Sequence, residues 1–372
     1  MSRVREFDFE YFIGPAHPGV TGNMSYHIWA EGDTIVQIEP NLGYLHRAFE
    51  KLIERRMWLK NFPLIPRICV PDPDVNEVLY AMAIEKLMGI EVPLRAQYLR
   101  VFMLEMSRMA SYLFYFGGVA GTLGLYTLPN WSIGDRDYIL DRFEEISGHR
   151  IYHIYQTIGG VRRDIPDPGY KDRVMELMDY LEKRLKDYDK VFFEHPIFKK
   201  RAKGVGVVDK ETALKFSVTG PNLRAAGVPY DVRKVEPYLV YDRLEFNVPQ
   251  VFTDGDVYSR VMQRRLEFEE SIKIVRQVME NLPEGPVNIK LRNPFEIRVP
   301  EGEIYVKVES SKGEYGFYLV SDGDVKPYRL HVRGPSFSHG LQLVRHIGPG
   351  TNIADISPIL FSLDICPPDA ER

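Results

Sequence analysis

Cysteine is nearly absent from this chain: Cys69 and Cys366 are the only two in 372 residues. Two cysteines cannot build a disulfide framework, nor supply the four thiolates of an iron-sulfur cluster. An excess of one charge is also missing. With 48 Lys and Arg against 52 Asp and Glu, a net charge of -4 offers nothing to attract nucleic acid. There is no G-x-G-x-x-G, no Walker-type loop, no H-E-x-x-H and no C-x-x-C, which removes the common nucleotide, zinc-protease and thioredoxin-like readings. No apolar N-terminal run resembles a signal peptide, so the expected setting is the reducing cytoplasm, with both thiols free unless chemistry pairs them. Long apolar runs are scarce too. Residues 109–128, "MASYLFYFGGVAGTLGLYTL", are uncharged over the length of a spanning helix. Four glycines interrupt them, and Arg95, Arg100, Glu105 and Arg108 lead in, which favours a buried helix of a bundle. Any contact with a membrane is expected to run through partners.

What is present divides into three stretches. In "SYHIWAEGDTIVQIEP", two runs of strand-formers flank Glu31-Gly32-Asp33, the pattern of a hairpin. Just before it, "GPAHPGVTGNM" places His17 on a loop rich in Gly and Pro. The middle of the chain is helical. Val75, Val78, Leu79, Met82 and Leu87 form one stripe, Pro93 can open the next helix, "KDRVMELMDYLEKRLKDYDK" is amphipathic, and another helix spans about 256–282. The last third returns to β: "EIYVKVESSKGEYGFYLVSDGDVKPYRLHVRG" reads as a meander of three strands turning at "SSKG" and "SDGD". We therefore expect an α+β fold, a central helical bundle flanked by N-terminal and C-terminal antiparallel β structure. No linker or repeat separates the regions, so one interwoven unit is expected, β-rich over 1–66, helical over 67–285, with the meander and a C-terminal motif over 286–372.

The two cysteines share a pattern: "RICVPD" and "DICPPDAER" each place an aspartate three residues after Cys. Asp72 followed by Pro73 reads as a helix start, with Asp74 and Glu77 as a competing capping pair, so capping alone can explain Asp72. A thiol beside a helix N-terminus is favoured as thiolate, although most lone cysteines are buried and inert. For Cys366 and Asp369 the plain reading is a solvated tail. C-x-x-D is no recognised zinc pattern. His149 and His153 stand four apart, yet their Tyr and Ile neighbours favour packing over a metal site. The charge runs "YDVRK" and "RRD" read as a solvated face or ion pairs.

Six blocks in chain order, "GPAHPGVTG", "NLGYLHRAFEKL", "NEVLYAMAIEKLMGIEVPLRAQYLRV", "GGVRRDIPD", "LRAAGVPYDVRK" and "GEYGFYLVSDGDVKPYRLHVRGPSF", resemble the catalytic 49-kDa-type subunit of respiratory complex I. That family is similar in turn to the large subunit of nickel-iron hydrogenases. The resemblance implies a hydrogenase-large-subunit-like fold docked on a small iron-sulfur subunit, beside other complex I-like hydrophilic subunits and a membrane arm. Against the hydrogenase pattern of paired C-x-x-C motifs, Cys69 and Cys366 match the first cysteine of each pair, and Asp72 and Asp369 replace the second. Carboxylates are hard donors and poor bridges for low-valent nickel and iron, so no metal is expected and hydrogenase activity is disfavoured. Against the complex I pattern, the second loop histidine is Thr21 and the quinone-binding tyrosine aligns with Val70, which removes both donors to the quinone head group.

This combination looks like the large subunit of the archaeal membrane-bound sulfane sulfur reductase. That resemblance implies a peripheral subunit on the cytoplasmic face of the membrane. Electrons from reduced ferredoxin would pass through iron-sulfur subunits to polysulfide, coupled to ion transport, with no cofactor held by this chain and the nearest cluster in the small subunit. Candidate site residues are then Cys69 and Cys366 as thiols, Asp72, Asp369 and His17 as proton donors, and Arg67 as partner for an anionic sulfur chain. A quinone reductase with an altered site, and a catalytically silent scaffold, are the alternatives.

Overall fold

A computed structural model of the chain describes residues 7–20, 22–289, 291, 293 and 296–372. The hairpin at Gly32-Asp33 is present as β2 (Ser25–Glu31) and β3 (Thr34–Asn41), with Gly32 at φ 58° as the turn requires. A further strand, β1 (Phe9–Ile13), pairs antiparallel with β2 and completes a three-stranded sheet in the order β1-β2-β3. Four of the five β1 residues are exposed, so no alternation of apolar and polar residues marked it in sequence.

Long helices build the centre. The helix Pro73–Met88 ends at Gly89, whose left-handed backbone (φ 65°) lets its N–H reach the Glu85 and Lys86 carbonyls. This helix is buried on every side rather than on one stripe, Asp74, Asn76 and Glu77 included. Leu94–Thr122 follows, opened by Pro93 at the cap position, and contains most of the uncharged stretch, packed inside the bundle. Among the described residues no helix is long and apolar enough to cross a membrane. Thr127–Ser147 and Val257–Glu280 both pack along 94–122, while the amphipathic Tyr170–Tyr188 lies on 257–280. Asp256 caps the 257–280 helix by accepting the Ser259 N–H at 2.7 Å.

A hairpin of two very short strands, β4 (Gln156–Thr157) and β5 (Gly160–Val161), interrupts the helical region. The C-terminal meander is β6 (Gly302–Glu309), β7 (Glu314–Ser321) and β8 (Arg329–Arg333), antiparallel in sequence order. Strands β6 and β7 pack on the 73–88 helix, which brings their connecting tip, residues 310–313, to the start of that helix. After β8 the chain turns helical again at Ile356–Ser362 and Pro367–Glu371. The C-terminal segment is no solvated tail. Glu371 accepts the Leu45 N–H at 2.5 Å, its carbonyl accepts from His46 Nδ1 at 2.6 Å, and Arg372 donates to the Val332 carbonyl at 2.7 Å.

Candidate functional site

The two C-x-x-D segments meet. Cys69 leaves a single 3-10 turn just before the 73–88 helix, and Cys366 occupies the cap position of the 367–371 helix. The sulfurs of Cys69 and Cys366 and a carboxylate oxygen of Asp369 all lie within 4.8 Å of one another. Both cysteines are unpaired, and they are only 1% and 4% exposed. The hydrogen-bonded Cys366 sulfur, together with burial, pushes the Cys69 thiol well above its ordinary value.

The aspartates are held by different backbones. Asp72 stands at the cap position, yet its side chain makes no cap; Oδ2 instead accepts the Ser311 N–H at 2.8 Å. The Asp74 and Glu77 side chains do not cap either. Asp74 pairs with His153 Nδ1 at 2.8 Å, and Glu77 accepts the N–H groups of Ile154, Tyr155 and Gln156. Asp369 Oδ2 accepts from the Ser336 hydroxyl at 2.7 Å, and Ser336 Oγ in turn accepts the Cys366 N–H at 2.9 Å, so one serine fixes both residues of the motif. Burial raises the pKa of Asp72 and pushes that of Asp369 up to about 7. The second oxygen of each, and the Tyr315 hydroxyl, are buried without a hydrogen-bond partner.

A cation that sequence reasoning missed completes the site. Lys312, at the β6–β7 tip and 2% exposed, forms an ion pair with Asp364. Burial works against its ammonium, but Asp364 and the two sulfurs outweigh it, so its pKa rises. In sequence "SSKG" is simply a turn, and nothing local separates a buried turn lysine from a solvated one. A cavity of about 340 Å³ leads to this point, walled by Val20, Val70, Phe114 and Phe361, with Lys312 and Cys366 lining it. Val70 therefore borders the space beside the sulfurs.

Two expected participants lie elsewhere. His17 is exposed on its loop, its Nδ1 accepting the Gly19 N–H at 3.0 Å, and it does not line the cavity although Val20 and Gly22 of the same loop do. The Arg67 guanidinium lies 4.5 Å from the centre of the Tyr152 ring and donates to the Pro63 carbonyl, and Arg67 does not line the cavity. Thr21 lies outside the described residues. His149 and His153 are not on one helical face, because the helix ends at Ser147; His149 is exposed and His153 packs on Phe143 at 4.0 Å. A nickel-iron centre does not fit this donor set. Only two sulfurs are available, and one oxygen of Asp72 is already committed to Ser311.

Comparison with known proteins is consistent over the whole chain. A family model described as respiratory-chain NADH dehydrogenase, 49 Kd subunit, matches residues 122–296 and 293–372. The D-type subunit of NADH-quinone oxidoreductase from Thermosipho melanesiensis is 49% identical over 367 residues, covering 98% of this chain and 100% of that protein. The D-type subunit of F(420)H(2) dehydrogenase from Methanosarcina mazei is 38% identical over 365 residues, covering 97% and 96%. A chain in the solved structure of the membrane-bound sulfane sulfur reductase, an archaeal respiratory membrane complex, superposes with a TM-score of 0.96 at 46% identity, covering 99% of this chain and 100% of that one.

Proposed function

Because the chain belongs to the 49-kDa subunit family of respiratory-chain NADH dehydrogenases, we propose that it is the catalytic subunit of a membrane-bound complex that reduces sulfane sulfur. Reduced ferredoxin is the proposed donor, through iron-sulfur subunits, with ion translocation coupled to turnover. The chain sits peripherally, held by a small iron-sulfur subunit, other complex I-like subunits and a membrane arm. The observation that carries this reading is the meeting of Cys69 and Cys366 at the inner end of a largely apolar cavity, beside the buried Lys312.

Cys366 lines the cavity and is the natural attacking sulfur; Cys69 lies behind it as the resolving one. Thiolate attack on the substrate S–S bond forms a mixed disulfide and expels one sulfur as its thiolate. Attack by Cys69 on the mixed disulfide expels the second sulfur and leaves a Cys69–Cys366 disulfide. Restoring the dithiol takes two electrons, which a cluster in the small subunit would supply one at a time, and two protons, so the sum is RSSR' + 2e⁻ + 2H⁺ → RSH + R'SH. Lys312 stabilises the thiolate and the anionic leaving sulfur, the role first expected of Arg67. Asp369, its pKa pushed up to about 7, holds a proton near neutrality for the leaving group.

The relatives' names favour a quinone as the competing acceptor, and the same cavity is the only candidate for its head group among the sites described above. An assay of the complex with reduced ferredoxin, offering an organic trisulfide, a soluble quinone or protons, separates the readings. Trisulfide turnover should fall at least about 10³-fold in Cys366→Ser and in Cys69→Ser. Undiminished trisulfide turnover in both variants refutes the thiol mechanism, and quinone as the sole acceptor refutes the reading as a whole.

A further inference from the structure

The donors that exclude a nickel-iron pair still form a compact set. Cys69, Cys366 and Asp369 offer two sulfurs and one oxygen within 4.8 Å of each other, all buried. A tetrahedral ion with bonds of about 2.3 Å to sulfur and about 2.1 Å to oxygen spaces its donors roughly 3.5–3.8 Å apart, so modest side-chain rotations close the set. A second observation points the same way. Ser336 fixes Asp369 Oδ2, while Oδ1 has no partner on a side chain that is 0% exposed. Gly334 leaves the room this oxygen occupies, since a Cβ there would come within 2.5 Å of it. Two soft sulfurs and one hard oxygen suit a borderline d10 ion, and they are too few thiolates to bridge two metals. Lys312 opposes a cation here. With both thiols ionised, however, the two sulfurs, Asp369 and Asp364 set four negative charges against Lys312 and the Arg264 guanidinium 3.5 Å from Asp364.

We propose that Cys69, Cys366 and Asp369 bind a single zinc-class divalent ion, with a fourth coordination position left to the cavity that Cys366 lines. Two S–H bonds are exchanged for two metal–thiolate bonds and Asp369 coordinates as carboxylate, so the two thiol protons and any proton held on Asp369 are released, and no electron moves. The same sulfurs cannot be metal ligands and a disulfide at once, so the ion holds the pair reduced and blocks S–S exchange. That effect on turnover rests on the function proposed above; the binding does not.

Titration of the full chain with cadmium tests the binding, because its only two cysteines are these and any thiolate-to-cadmium absorption reports them alone. One ion per chain is expected, with about two to three protons released, displacement by zinc and none by magnesium. Cys69→Ser and Cys366→Ser should each abolish the full band, and Asp369→Asn should weaken binding at least about tenfold. In the assembled complex, zinc should protect Cys69 and Cys366 from alkylation together, read by peptide mass spectrometry, which decides the matter if the isolated chain is unstable. Stoichiometry other than one, an unchanged band in Cys366→Ser, wild-type affinity in Asp369→Asn, or protection of neither cysteine in the complex overturns the proposal. Metal binding alongside full trisulfide turnover in the cysteine variants leaves this site standing and refutes the thiol mechanism instead.

Discussion

Two buried polar regions lie on either side of the β6–β7 tip, and their carboxylates are treated oppositely, although Arg108 Nε and Gln263 Oε1 on the first side also lack a hydrogen-bond partner. On one side, Glu105, Asp231, Glu267 and Glu309 face Arg108, Arg224 and Arg233. Arg233 meets Asp231 at 2.7 Å and Glu105 at 3.0 Å, and Arg224 meets Glu267 at 2.6 Å and Glu309 at 2.8 Å. Both oxygens of each of these carboxylates accept a hydrogen bond, with Tyr112, Tyr241, Ser271, Gln263 and the Val232 N–H filling the remaining positions. On the other side, Asp72, Asp369 and Tyr315 each keep one buried polar atom unpartnered. Satisfied networks rigidify a core, whereas unmatched buried groups cost stability and are found where chemistry needs them. The two regions are joined by Arg108, which donates to the Glu309 and Ser310 carbonyls at 2.6 and 2.8 Å and so fixes the tip that presents Ser311 and Lys312. Rigidity on one side thus positions the incomplete polar cluster on the other.

The sharpest way to break this comparison is to remove a cation from the satisfied side. Arg224→Leu strands Glu267 and Glu309 in the interior and should cost about 3–5 kcal/mol, read as a lowered urea midpoint. A smaller loss would mean the network contributes less rigidity than its geometry indicates. On the unsatisfied side the effect should fall on rate. Asp369→Asn is expected to slow trisulfide reduction about 10²-fold with little loss of stability, measured by turnover and thermal melting of the same preparation.

The pH dependence follows from the same carboxyl. Folded, Asp369 titrates at about 7 against an ordinary value of 3.8, so the native state keeps a proton that the unfolded chain gives up. Its contribution to stability is therefore complete below about 4 and is lost as pH rises through about 7. Turnover in the wild type should decline above about pH 7 as the donor ionises, and Asp369→Asn should lack that limb. The smallest effects belong to residues outside the cavity lining: Arg67→Ala and His17→Ala should each change turnover by no more than about twofold. A large loss in either variant would extend the site beyond the cavity.

How far sequence carried depended on range. Hairpin, meander and amphipathic helices were legible because periodicity and turn residues are local, as with Gly32-Asp33 and "SDGD". The helix Thr127–Ser147 was not, because Trp131, Ile133 and Tyr138 are exposed and blur the stripe formed by Leu128, Ile139, Phe143 and Ile146. "YDVRK" left a solvated face or an ion pair open; Asp231 and Arg233 are buried and paired, and Arg233 also meets Glu105 from 128 residues away. No local pattern announces such a partner. The site divides the same way. The repeated C-x-x-D identified the sulfurs and their aspartates, but Lys312, Ser311 and Ser336 arrive through tertiary packing alone.

Cys69 and Cys366 are separated by 366 − 69 = 297 positions, yet their sulfurs are neighbours. A contact of such sequence separation carries a high loop-closure cost, so the Cys69–Cys366 pair should be among the last features to appear as the chain folds. Because these 372 residues hold no third cysteine, a disulfide formed among them can only be the one at the site.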